Sequence, residues 1–249
     1  MAVANTHRRV VAVVNQRPPG LVLDIPAGAG PVRAGLRAHG HRVVEVDLFP
    51  RAGLAGVCAD ACAPFPFRDA SFDVVLSMEG IEHFENQAAF VRECARVLKP
   101  GGRLVLTTPN VLHLSSRLSQ LLTAQRLARQ GFINEVTTPR GRTGDRLHHG
   151  HAFLIDAFRL RYLLHTSGLH LERLEPTNRS GGSLLWSVFL VPPIWLATRY
   201  AIWSGRRHRR KRRQTEPGTK VEAELSSLAL SPALLFSRGL IVVANRQAV

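Results

Sequence analysis

Within the first 110 residues, short apolar runs alternate with turn and helix signals, and that rhythm leaves few folds open. Residues 21–25, 41–47, 56–59, 72–77 and 103–108 read as strands, each a brief run of aliphatic residues bounded by Gly, Pro or Asp. Residues 31–39 and 88–98 read as helices, the second stopped by Pro100-Gly101-Gly102. Strands separated by helices imply a parallel sheet with helices on both faces. Further on, residues 114–130 read as a helix, 131–151 as a loop rich in Gly, Arg and His, 156–167 as a helix, and 169–174 and 239–244 as two more strands. With 249 residues, 45% of them hydrophobic, the chain has material for one full α/β core, so residues 1–249 are read as a single domain.

The first strand ends in LVLDIPAGAG, which places Asp24 at the strand terminus and Gly28 and Gly30 in the turn opening the next helix. Glycines let backbone approach a ligand closely, and a helix start offers unpaired N–H groups. A dinucleotide fingerprint would need a third glycine where Arg33 stands, which argues against nicotinamide binding. Asp47 ends the second strand, where a carboxylate can take both hydroxyls of a ribose, and Asp60 follows the third, placed to accept from an exocyclic amine. Any one of these aspartates would serve equally as a turn or cap residue; their order along successive strand ends favours a shared crevice.

These motifs resemble the class I S-adenosylmethionine-dependent methyltransferases, from about Arg8 to Pro176 and again at the last strand. LVLDIPAGAG is similar to that family's first motif, VVEVDLFP to its ribose segment, CADACAPFPFRDASFDVVLSMEGIEHF to its adenine segment, and RVLKPGGRLVLTTPN to its approach to the fifth strand. The resemblance implies a Rossmann-like, seven-stranded, mostly parallel sheet with the last strand antiparallel. It implies S-adenosyl-L-methionine as cofactor, its methionine part on Asp24, Ala27, Gly28 and Gly30, its ribose on Asp47, its adenine on Asp60 and Ala61, with Met78 and Glu79 lining the site. Pro26 departs from the family's usual glycine, so the entry to the loop must differ locally.

Methyl transfer from a sulfonium is an in-line displacement whose main demand is alignment. An oxygen nucleophile also loses a proton, and histidine suits that task near neutral pH. His83 follows the fourth strand, and His148, His149 and His151 lie in the Gly/Arg/His loop; His83 and His149 are the candidate catalytic residues. Glu79, Glu82 and His83 form an ExxEH cluster that resembles a segment of ubiquinone-pathway O-methyltransferases able to hold a divalent metal. Cys58, Cys62 and Cys94 form neither a CxxC pair nor a disulfide framework, which fits a reducing cytoplasm, and the first 20 residues show no signal-peptide cleavage pattern.

Thirty-three Lys and Arg against 18 Asp and Glu give a net charge of +15, which predicts attraction to a polyanion. The charge is concentrated: residues 183–203 are strongly apolar and run directly into RRHRRKRR, residues 206–213. Residues 178–230 therefore read as a membrane-associating insertion between two strands, an interfacial helix or a hairpin bent at Pro192-Pro193. The expected protein is peripheral on the cytoplasmic inner face of a membrane and acts on a small-molecule or lipid-linked acceptor, with the region from Arg146 to Ser180 resembling the substrate side of ubiquinone-type and cell-envelope enzymes. Two other classes stand beside it: an RNA methyltransferase that uses the basic run for nucleic acid, and a catalytically silent cofactor-binding protein. The first lacks an Asn/Asp-Pro-Pro-aromatic motif, Ser77-Met78-Glu79-Gly80 standing in its place, and the second would be expected to have lost the cofactor residues.

Overall fold

The structure is a computed structural model that describes residues 2–28, 30, 32–49, 56–125, 134, 136, 138, 140–143, 146–211 and 219–248. In chain order the elements are α1 (Ala2–Val14), β1 (Leu21–Asp24), α2 (Arg33–Ala38), β2 (Arg42–Asp47), β3 (Val57–Cys58), β4 (Phe72–Met78), a 3-10 turn (Ile81–His83), α3 (Gln87–Val97), β5 (Leu98–Pro109), α4 (Leu114–Thr123), β6 (Arg140–Thr143), β7 (Arg146–His149), α5 (Ala157–Thr166), β8 (Leu169–Pro176), α6 (Gly181–Leu185), α7 (Ser187–Lys211), α8 (Thr219–Ala229), α9 (Pro232–Phe236) and β9 (Gly239–Arg246).

Seven strands form one sheet in the order β3-β2-β1-β4-β5-β9-β8. The pairs from β3 to β5 are parallel, and β9 runs antiparallel to both β5 and β8. The order reverses beside β1, so the crevice for a ligand lies at the C-terminal ends of β1, β2 and β4. The central strands are buried on both faces, which is why they read as continuous aliphatic runs. One face carries a core around Phe72, Phe90, Leu104 and Leu160 under α3 and α5. On the other, Val10, Val13 and Val14 of α1 pack with Leu36 and Val105. The N-terminal apolar stretch, which the sequence leaves without an element of its own, is thus an amphipathic helix packed on the sheet.

Three expectations change. The loop expected over residues 131–151 contains the antiparallel pair β6–β7, with Arg140 opposite His149 and Thr143 opposite Arg146. The helix expected to reach residue 130 ends at Thr123, where Ala124 turns left-handed at φ 58. Finally, Pro192 and Pro193 do not bend a hairpin: α7 continues through them to Lys211. Residues 178–230 rise between β8 and β9, and the base is tied by a bridge between Arg179 and Ser237 and by Ser180 N–H donating to the Phe236 carbonyl at 2.7 Å.

Candidate active site

The glycine turn is stitched to the strands on either side. Ile25 N–H donates to the Leu76 carbonyl and Ala27 N–H to the Val46 carbonyl, both at 2.9 Å. Gly28 and Gly30 stand at φ +55 and +64, a region that favours residues without a Cβ. A Cβ on Gly28 would meet nothing within 4 Å, so bare backbone faces open space, whereas one on Gly30 would lie 2.5 Å from Glu45 Oε1. The Arg33 guanidinium reaches Glu45 Oε2 at 2.7 Å. Glu45 Oε1 is buried without a hydrogen-bond partner among the described residues.

Asp47 ties the turn to β2, its Oδ2 accepting from Gly28 N–H at 2.8 Å and its Oδ1 from Phe49 N–H at 3.0 Å. Asp24 is buried beside these acids: burial first, then the charges of Glu45 and Asp47, push its pKa up to about 8. Asp60 is exposed and accepts from Cys62 N–H at 2.8 Å, while Ala61 is buried next to it. Asp24, Ala27, Gly28, Gly30, Asp47 and the β4 end are therefore drawn together by backbone bonds, with Asp60 and Ala61 on the turn after the edge strand β3.

At the end of β4, half-buried Met78 leads into Glu79, held at φ 48 with its N–H donating to the Thr107 carbonyl at 3.1 Å and Thr107 Oγ1 at 3.0 Å. Gly80 packs on the glycine turn so tightly that a Cβ would lie 2.5 Å from Pro26 Cδ. Behind it Glu82 is fully buried. Its Oε2 accepts from Thr108 Oγ1 at 3.2 Å, and Oε1 has no partner among the described residues. Burial, and then the charge of Glu79, push the Glu82 pKa up to about 8.

His83 Nδ1 lies 2.7 Å from the carbonyl oxygen of His149. A carbonyl only accepts, so Nδ1 carries the hydrogen and Nε2 of the neutral ring keeps its lone pair. The His149 ring is turned elsewhere, with Nε2 2.7 Å from Glu85 Oε1 and the ring against Phe153. It is His151 that meets His83, ring centroids 4.8 Å apart. Glu82, His83 and His151 each bring one ligand atom within 4.8 Å of the others. The clustered donor set thus differs from the contiguous Glu79-Glu82-His83 by exchanging Glu79 for a histidine of the later loop. The side chain of His148 lies outside the described residues.

A cavity of about 440 Å³ is lined by Val111, Leu112, Leu154 and Phe158, by the polar Arg117, Gln120 and Asp156, and, from α7, by Thr198. Its walls are covalently next to the site: Phe153, which precedes Leu154, donates its N–H to the Glu82 carbonyl at 3.0 Å. Sequence reasoning missed Glu45, Thr107 and Thr108. The last two were visible as the polar end of an aliphatic strand, the position from which a parallel sheet faces its crevice. Cys94 is fully buried in α3 with its thiol pKa pushed up by burial, so it is no nucleophile.

Comparison with known proteins agrees with this geometry. Residues 23–106 match a family described as a methyltransferase domain. A probable S-adenosylmethionine-dependent methyltransferase of Mycobacterium tuberculosis is 53% identical over 53 residues, 21% of this chain and 19% of that protein. A ubiquinone biosynthesis O-methyltransferase of Xylella fastidiosa is 33% identical over 177 residues, 62% of this chain and 65% of that protein. The chain thus spans about a fifth of the mycobacterial relative and just under two thirds of the other. In fold, an S-adenosylmethionine-dependent methyltransferase of Mesorhizobium loti superposes with a TM-score of 0.52 at 15% identity, over 96% of each chain. Sheet order, glycine turn and these relatives together make the chain similar to the S-adenosylmethionine-dependent methyltransferases.

Proposed function

We infer that the protein transfers the methyl group of S-adenosylmethionine to a hydroxyl oxygen of a small-molecule or lipid-linked acceptor at a membrane surface. The observation that carries this reading is His83, held with Nδ1 on a carbonyl and Nε2 available, beside buried Glu82 at the crevice end of β4. The O-methyltransferase of ubiquinone biosynthesis among the relatives supports an oxygen acceptor.

The residues fit the cofactor. Bare backbone at Gly28 leaves room for it, and the crowded carboxylates Asp24, Glu45 and Asp47 are relieved by a cation. In this reading Asp24, Ala27, Gly28 and Gly30 hold the methionine part, Asp47 the ribose, Asp60 and Ala61 the adenine, with Met78 and Glu79 along the wall. Bound S-adenosylmethionine supplies an electrophilic methyl carbon on a sulfonium sulfur. With the cofactor supplying that methyl carbon, His83 Nε2 would take the proton of the acceptor's hydroxyl. His149 serves as a positioning residue through its carbonyl. The cavity beside Leu154 offers the acceptor an apolar wall.

A second reading is favoured by the cluster of Glu82, His83 and His151 and by the unpartnered Glu82 Oε1. These three side chains would hold a divalent cation, which would lower the pKa of a coordinated hydroxyl. The test is incubation of purified protein with methyl-tritiated S-adenosylmethionine and a bacterial lipid extract, seeking products one CH2 heavier. Wild type should label a hydroxyl compound and His83→Ala should lose turnover while still binding the cofactor in calorimetry. Labelling confined to RNA, or cofactor binding with no transfer to any fraction, would overturn the oxygen-acceptor reading. Activity indifferent to thorough chelation would remove the metal.

A further inference from the structure

The helix α7 is 25 residues long and none of its described side chains is fully buried. Ser187, Leu190, Val191, Ile194, Thr198 and Ile202 are half-buried, a helical spacing that marks the inward face. The face between them is exposed and apolar: Val188 is 75% exposed, Phe189 71%, Leu196 60% and Tyr200 65%, with Trp195 and Trp203 along the same side. A helix that turns apolar residues outward on this scale marks a contact surface.

We propose that this outward face is a monotopic docking surface for a bilayer rich in anionic lipid, with α7 lying in the headgroup region and its C-terminal cations against phosphate. Charge complementarity argues for that occupant. From Thr177 to Thr215 the chain has no Asp or Glu, and seven Lys and Arg follow Trp203 between Arg206 and Arg213. Arg206 and Arg209 are held by Glu222, while Arg207 lies over the Trp203 ring at 5.6 Å and Lys211 is exposed. Arg199 likewise sits over Trp195 at 5.2 Å. Indole and phenol rings beside cations suit the layer where apolar chains meet headgroups. A second copy of this chain is disfavoured because it would bring the same cations face to face. A nucleic acid would leave Val188, Phe189 and Leu196 with nothing apolar to enter.

The topology excludes a single crossing. β8 and β9 pair directly, Pro176 opposite Leu240, so both ends of the excursion leave the sheet together and return to the same side. Among the described residues no helix is long and apolar enough to cross a membrane. A surface helix that combines apolar burial with cations has the two signals that stable anchoring requires.

This deepens the membrane location proposed above, and its test reads neither cofactor nor turnover, so its failure leaves methyl transfer standing. Full-length protein is floated with vesicles of phosphatidylcholine alone or mixed with phosphatidylglycerol. Wild type should rise with the mixed vesicles at low salt and fall back as salt is added. The exposed triple substitution F189S/W195S/L196S should reduce the bound fraction roughly tenfold or more, as should R207Q/K211Q/R212Q/R213Q. Tryptophan emission should shift to the blue and be quenched by brominated acyl chains, which reports insertion in protein shown by circular dichroism to be folded. Wild type that stays at the bottom with anionic vesicles, or emission untouched by brominated lipid, overturns the proposal. So does concentration-dependent dimerisation abolished by the triple substitution, or RNA binding that displaces the vesicles.

Discussion

At Asp47 one carboxylate already serves two backbone N–H groups, Gly28 and Phe49, so it shapes the glycine turn and, in the proposed site, would still have lone pairs for a ribose. Asp47→Ala should therefore weaken S-adenosylmethionine by about 1.5–3 kcal/mol in calorimetry, the range for losing charge-assisted hydrogen bonds; equal binding would remove Asp47 from the site. Gly80 raises a different constraint, because the space its Cβ would need is filled by the Pro26 ring and by Ser77 Oγ at 3.1 Å. Gly80→Ala should push β4's crest away from the glycine turn, seen as a lower melting temperature with cofactor affinity reduced as well. An unchanged melting curve would show that the crest moves freely. The placement of Asp24, Asp47 and Asp60 at or just after successive strand ends was legible in the sequence, because a parallel sheet delivers those ends to one edge. The approach of His151 to Glu82 was not, nor was Glu45. His151 reaches Glu82 only when a loop some seventy residues later folds back, and Glu45 stands where an inward strand position normally carries an aliphatic residue.

Elements differ in how firmly the chain announces them. The aliphatic runs of β1, β4 and β5 found their places because burial on both faces demands continuous hydrophobicity. α1 was missed because Val10, Val11, Val13 and Val14 satisfy a strand pattern as well as a helical one, and packing on Leu36 decides. For α7 the sequence left an interfacial helix or a hairpin bent at the prolines open, since proline lacks an N–H and its ring opposes the preceding turn; the helix continues through them. Its grip on the domain is partly electrostatic: Glu222 of α8 accepts from Arg206, and from Arg209 at 3.1 Å. Glu222→Gln should raise hydrogen exchange across α7 and α8 while β4 and β5 stay protected. Uniform exchange would mean that α7 and the sheet open together.

For the whole molecule, buried acids set the response to pH. Asp24 ionises at 3.8 when exposed and at about 8 when folded, and Glu82 moves from 4.5 to about 8. Between those limits the folded state holds protons that the unfolded chain has released, so stability falls as pH rises. The carboxylates held low by cations, such as Glu93 by Arg96, act only in more acidic solution, where their contribution is lost as pH drops. His165, lowered by burial, opposes the trend below its ordinary range. The cofactor-free protein should accordingly melt at lower temperature at pH 8 than at about pH 6, and Asp24→Asn with Glu82→Gln should flatten the slope. A wild-type melting temperature that climbs steadily over that interval would show that the two acids are ionised in the folded state.

The tied base of the excursion between β8 and β9 also has a mechanical meaning. Besides the contacts of α7 with α8, a load on the excursion would act at the Arg179–Ser237 bridge on both chain ends in the same direction, an arrangement that opens antiparallel rungs one at a time from Pro176–Leu240 inward. β4 stands three strands from β8, so rungs across β9 and β5 would have to give before such a pull reached it.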